Sequence, residues 1–91
     1  MKVKNMKSNY GNNIPNQFII TDGVYTYFQS YDKIIVKKTY NGTSPYYIEM
    51  DINYWDYSKT TGKYRNIFLG EEIAETRRKI KKGIYILTDL N

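Results

Sequence analysis

Between Ile52 and Ser58 the spacing of apolar residues changes from two to about three and a half, and no other feature constrains the fold as strongly. Before the change, Tyr46, Ile48, Met50 and Ile52 alternate with Tyr47, Glu49, Asp51 and Asn53, the pattern of a strand with one buried and one wet face. Upstream, Phe18 to Thr21 leads through Asp22-Gly23 into Val24 to Gln29, which predicts a hairpin. A further run, Lys33 to Tyr40, ends at Asn41-Gly42, a strong turn signal lengthened by Thr43, Ser44 and Pro45. Three or four antiparallel strands are expected between Phe18 and Ile52.

After the change, Ser58 or Thr60 caps a helix whose inward stripe is Thr61, Tyr64 and Ile67 or Phe68, stopped by Gly70. Gly62 weakens this helix by about 1 kcal/mol relative to Ala, so packing must hold it. Glu71, Glu72 and Glu75 open a second helix, and Arg77, Arg78, Lys79, Lys81 and Lys82 close it before Gly83, which matches charge to the helix dipole. Ile73, Arg77 and Ile80 share one of its faces, and Ile84 to Thr88 reads as a closing strand. The expected fold is α+β: a small antiparallel sheet, order β-β-β-α-α-β with room for one extra N-terminal strand, and two short helices on one face. Residues 1–17, polar and without periodicity, read as a flexible basic arm, and residues 18–91 as one α+β domain. If Phe18 to Thr21 lies at an uncovered edge, two copies can pair through it.

Ninety-one residues allow only a thin core, with roughly 60–65% of the unfolded chain's surface buried. With no cysteine to staple it, many of the eleven tyrosines must be structural. The basic Met1-Lys2-Val3-Lys4 start is followed by Asn, Ser and Gly rather than an apolar run, unlike a secretory signal. No segment has the roughly 20 apolar residues that cross a bilayer. The expectation is a cytoplasmic protein without membrane contact.

The absence of histidine and cysteine removes the common nucleophile systems, zinc clusters and haem ligation. Glu49 and Asp51 sit two apart on one strand face, but such acids more often meet solvent or lysine than a metal. Thr60-Thr61-Gly62-Lys63 lacks the full spacing of a phosphate-binding loop. No cofactor, no metal and no enzymatic activity are expected.

The net charge is +5 and uneven. Residues 1–17 carry three cations and no acid, residues 18–57 three cations and five acids, and residues 58–91 eight cations and four acids. A basic surface favours polyanions, though it also serves solubility. Ser58, Thr60 and Thr61 place hydroxyls where helix N–H groups are unpaired, and Lys59, Lys63 and Arg65 add cations within about a turn, an arrangement suited to phosphate or a partner's carboxylate. Capping with solvated cations accounts for the same residues. Trp55 fits best as an anchor between sheet and helix, while Tyr54 and Tyr57 are the better candidates for contact. The basic end of the second helix exceeds what the dipole requires. The candidate partner- or nucleic-acid-binding residues are therefore Tyr54, Tyr57, Lys59, Thr60, Lys63, Arg65, Arg77, Arg78, Lys81 and Lys82.

In Phe28-Gln29-Ser30-Tyr31-Asp32, in Tyr54 to Arg65 with its Trp-Asp-Tyr-Ser-x-Thr-Thr-x-Lys element, and in Phe68-Leu69-Gly70-Glu71, the chain resembles small accessory proteins of phages and plasmids of low-GC bacteria. The resemblance spans roughly residues 24–91. It implies a mobile-element protein, and because some neighbours of such genes block host defence nucleases, it suggests an inhibitor of the anti-CRISPR type whose partner is a host protein such as a CRISPR effector nuclease. The alternative, from a different class, is a small basic nucleic-acid-binding regulator, whose affinity would fall steeply with salt.

Overall fold

A computed structural model describes residues 1–40 and 47–91. Five strands, β1 (Lys2–Lys7), β2 (Asn13–Asp22), β3 (Tyr25–Ser30), β4 (Lys33–Thr39) and β5 (Tyr47–Asp51), precede two helices, α1 (Lys59–Leu69) and α2 (Ile73–Lys81), and a last strand, β6 (Tyr85–Thr88). The strands lie in one sheet in chain order. The α+β architecture expected from the period change is present, and α1 and α2 supply its helical layer. The Asn41-Gly42 turn and the Tyr46 start of the fifth strand fall outside the described residues.

Two expectations are corrected. Residues 1–17 are not a flexible arm: β1 pairs antiparallel with β2, from Lys2 opposite Thr21 to Lys7 opposite Asn13, and Met6 is buried in the core. Met6 shares the helix-covered face with Lys2 and Lys4, which lie opposite Thr21 and Ile19, and two lysines at inward positions hide the alternation that would have marked a strand. Asn5 offsets the pairing lost at a register irregularity between Asn5 and Lys7 by donating to the carbonyls of Ile14 and Gln17. The Phe18–Thr21 segment therefore lies inside the sheet and offers no edge. The closing strand is also not antiparallel: β6 runs parallel to β5, because two helices carry the chain back to the starting end of the sheet.

Alternation sends Phe28, Val36, Ile48 and Met50 to the face that the helices cover, where Met6, Ile35 and Tyr85 complete the buried core. Ile35 and Val36 are both fully buried because a bulge opposite Phe28–Gln29 adds one residue to β4. Phe28 stacks on Phe68 with ring centroids 5.7 Å apart, and the Ser30 and Thr61 hydroxyls share a buried 2.8 Å hydrogen bond, so α1 is docked by one apolar and one polar contact to β3. Glu71 fixes α2 on β6: it accepts from Thr76 at 2.6 Å and from Lys79 and Tyr85 at 2.8 Å each. Burial pushes its carboxyl up, but these three donors outweigh it and hold the pKa below the ordinary value.

Candidate functional site

The segment from Asp51 to Ser58 is bent by hydrogen bonds to one buried carboxylate. Asp51 Oδ2 accepts from the backbone N–H groups of Asn53 and Tyr54 at 3.0 and 2.9 Å, and its carbonyl accepts from Trp55 N–H at 3.0 Å. This turn delivers Trp55, Asp56 and Tyr57 beside the start of α1. There Ser58 caps the helix, its Oγ accepting from Thr61 N–H at 3.1 Å, so of the two expected caps Ser58 is used and Thr60 is left exposed.

Arg65 builds the floor. Although charged, it is only 1% exposed: Nη1 donates to the Trp55 carbonyl at 2.7 Å and to Asp56 Oδ1 at 3.3 Å, and Nη2 to Asn66 Oδ1 at 3.0 Å. Its guanidinium lies 5.4 Å from the centre of the Trp55 ring, and burial draws its pKa down against the opposing pull of Asp56. Arg77 reaches over from α2 to the same pair, donating to Asp56 Oδ2 at 2.9 Å with its guanidinium 5.9 Å from the ring centre. Asp56 thus bridges two arginines that flank the single tryptophan.

Above this floor lies an open groove of about 550 Å³, edged by Tyr57, Lys59 and Lys63 on one side and Ile73 and Arg77 on the other, with Gly62 and Asn66 between. Five of the ten residues selected from sequence, Tyr57, Lys59, Lys63, Arg65 and Arg77, line it. Among the described residues Lys59 and Lys63 enter no ion pair. Tyr54 meets Tyr57 edge to face at 5.3 Å and lies beneath Lys33, so it braces the rim rather than lining it. The other half of the selection is placed differently. Thr60 is exposed at the start of α1 outside the lining, and Arg78 is committed to Glu75 one turn earlier; Arg65, though it lines the groove, has its charge committed to Asp56. Lys81 and Lys82 are exposed at the far end of α2, beyond the groove lining. Sequence reasoning missed Asp56, Asn66 and Ile73 as lining residues; nothing local marks Asp56, whose partners are nine and twenty-one residues away.

Gly62 carries the clearest signal. It sits inside α1, has no positive φ, and the nearest atoms to a Cβ there would be those of the Arg65 guanidinium, at 3.6 Å and beyond, an ordinary contact. Neither backbone conformation nor packing calls for glycine, yet it weakens the helix by about 1 kcal/mol. Gly62→Ala is therefore expected to raise the melting temperature by about 4–8 °C. Thermal unfolding followed by circular dichroism tests this, and a lower melting temperature would mean that Arg65 needs the bare backbone.

Glu49 and Asp51 do not converge: Glu49 pairs with Lys37 at 3.9 Å, and Asp51 is consumed by hydrogen bonds. Among the described residues no acidic cluster could hold a metal ion, and no helix is long and apolar enough to cross a membrane. No curated protein and no solved structure matches the chain. A family model described as a family of unknown function, DUF8033, matches residues 1–84, and the chain belongs to that family.

Proposed function

We propose that this DUF8033 member is a non-enzymatic docking protein whose α1–α2 groove receives acidic side chains of a host protein. The observation that carries this reading is the groove itself: Tyr57, Lys59, Lys63 and Arg77 converge on one open concavity beside a glycine that the helix does not need. Its chemistry fits a protein partner better than a nucleic acid. Asp56 places a carboxylate within the lining, Ile73 and Tyr57 give apolar edges, and Arg65, Arg78 and Lys79 are neutralised internally. A phosphate track needs a run of uncommitted cations, whereas an acidic protein surface needs a few cations with apolar contacts between them. The resemblance to accessory proteins of mobile elements suggests a host defence nuclease of the CRISPR effector kind as the partner, contacted at an acidic patch and not at its cationic nucleic-acid-holding surface.

Capture from a host lysate with the tagged chain is the test. The wild type is expected to retain a host protein, and Lys59→Glu/Lys63→Glu to weaken retention by about 10-fold or more, since both lysines are exposed and their reversal leaves the core untouched. Undiminished retention by the variant would move the interface off the groove. A salt-sensitive gel shift of short DNA or RNA, with no protein retained, would instead favour the nucleic-acid-binding regulator.

A further inference from the structure

The turn that joins β1 to β2 is organised by one serine. Ser8 N–H donates to the Asn12 carbonyl at 2.8 Å, the Ser8 carbonyl accepts from Gly11 N–H at 3.0 Å, and Ser8 Oγ accepts from Tyr10 and Asn12 N–H at 3.3 and 3.2 Å. Gly11 closes the turn at a φ of 82°, a left-handed conformation that glycine adopts without strain. Tyr10 is thereby held at the tip, 93% exposed, next to α1. Between this turn and the helix lies a cleft of about 250 Å³, smaller than the α1–α2 groove, with Lys7, Tyr10 and Ile14 on one wall and Lys63, Tyr64 and Ile67 on the other.

Two features set this cleft apart. The first is apolar surface that the core does not use. Phe68 takes the stack on Phe28 and leaves its neighbour Ile67 58% exposed, while Ile14 and Tyr64 pack against the core from inside. The second is charge. Lys7 donates to Asn13 Oδ1 at 2.6 Å and Lys63 lies 5.4 Å from the Tyr64 ring centre, so both are held by neutral groups; no carboxylate lines the cleft, and neither lysine enters an ion pair among the described residues.

We infer that this cleft is a second subsite of the docking surface, and that it takes an aliphatic or aromatic side chain lying next to a carboxylate in an extended acidic segment of the partner protein. Two cations without an acid select an anion. Their placement on separate walls, with isoleucines between, suits a carboxylate beside an apolar side chain better than a phosphate track. Stacked bases need free ring faces, and Lys63 lies over Tyr64, which leaves Tyr10. Lys63 also lines the α1–α2 groove and stands as the ridge between the two. A helix is about 10 Å across, so an extended segment of about three residues reaches from one to the other. The identity of the occupant as a protein segment rests on the docking reading; the preference of the cleft is tested apart from it.

NMR titration of the isotope-labelled full chain with the tetrapeptide acetyl-Glu-Leu-Phe-Glu-amide is the test. The amide signals of Ser8, Asn9, Tyr10, Tyr64 and Ile67 are expected to shift and saturate with a Kd on the order of 1 mM. The uncharged acetyl-Gln-Leu-Phe-Gln-amide is expected to bind about 5-fold more weakly. Ile67→Gln, an exposed position given a good helix former, is expected to weaken binding by about 5-fold, and Lys7→Gln by about 3-fold. No shift up to about 10 mM overturns the inference, as does binding indifferent to the Gln peptide and to Ile67→Gln. Shifts confined to Tyr57, Lys59 and Arg77 also overturn it, while leaving the docking reading in place. Octathymidylate that moves the cleft signals at lower concentration than the peptide overturns it and assigns the cleft to nucleic acid.

Discussion

Asp51→Asn is expected to cost about 2–4 kcal/mol, lowering the melting temperature by about 10–25 °C. Asp51 is fully buried and accepts from Asn53, Tyr54 and Leu90 backbone N–H groups and from the Asn91 side chain, all between 2.8 and 3.0 Å. Asn91 in turn brackets β4, accepting from Ile34 N–H and donating to the Ile34 carbonyl at 2.9 Å each. One carboxylate therefore ties the end of β5, the turn that presents Trp55 and Asp56, and the residues after β6. An asparagine there turns an NH₂ group towards N–H donors and leaves at least one of them unpaired in the interior. The pH dependence has a definite sign. Burial alone would push the Asp51 carboxyl up, but its four donors outweigh burial and hold the pKa below the ordinary value of about 3.9. A carboxylate depressed in the folded state stabilises fully above its unfolded pKa and loses that contribution as pH falls through the folded value. The gap between wild type and variant is thus expected to be constant above about pH 5 and to narrow below about pH 4, as read by denaturant titrations across that range. A gap that widens on acidification would mean that Asp51 is not the ionised acceptor described here.

Arg65→Leu is expected to cost a comparable amount, about 2–4 kcal/mol, and to disorganise the groove as well. The substitution leaves the Trp55 carbonyl and Asn66 side chain without their donor and removes a guanidinium packed beside the tryptophan ring. The electrostatic share is modest, because Asp56 is about one-third exposed and keeps Arg77. Arg65→Lys preserves charge but cannot reach three acceptors with a planar fork, so it is expected to recover less than half of the loss. Trp55 is the only tryptophan, and its emission reports directly on this contact. Both variants should shift it to longer wavelength. A lysine variant with native stability and unshifted emission would show that Arg65 is filler rather than framework.

Much of this fold was legible in the sequence. The change of period located the switch from sheet to helices, and Ser58, Gly70 and Gly83 marked helix ends that the structure retains. The arm was not legible, because β1 is an edge strand with lysine at three of six positions, two of them on the same face as its one core residue, Met6. Nor was the direction of β6, since pairing across a two-helix crossover leaves no local mark. The site shows the same division. Tyr57, Lys59 and Lys63 were visible because they flank a cap. Arg65 was misjudged from its charge, although its spacing of four from Thr61 and three from Phe68 places it on the inward stripe. In α2 the buried position is Thr76, three after Ile73 and four before Ile80, while Arg77 lies one step round the helix and reaches the groove instead.

The docking reading rests on a surface, and amide hydrogen exchange can map it. Exchange in the isolated chain and in its complex with the host protein retained on capture should differ chiefly at Lys59 to Asn66 and around Arg77, where binding slows exchange. Unchanged exchange along α1, with slowing confined to other elements, would contradict the assignment of the groove as the place where the partner is held.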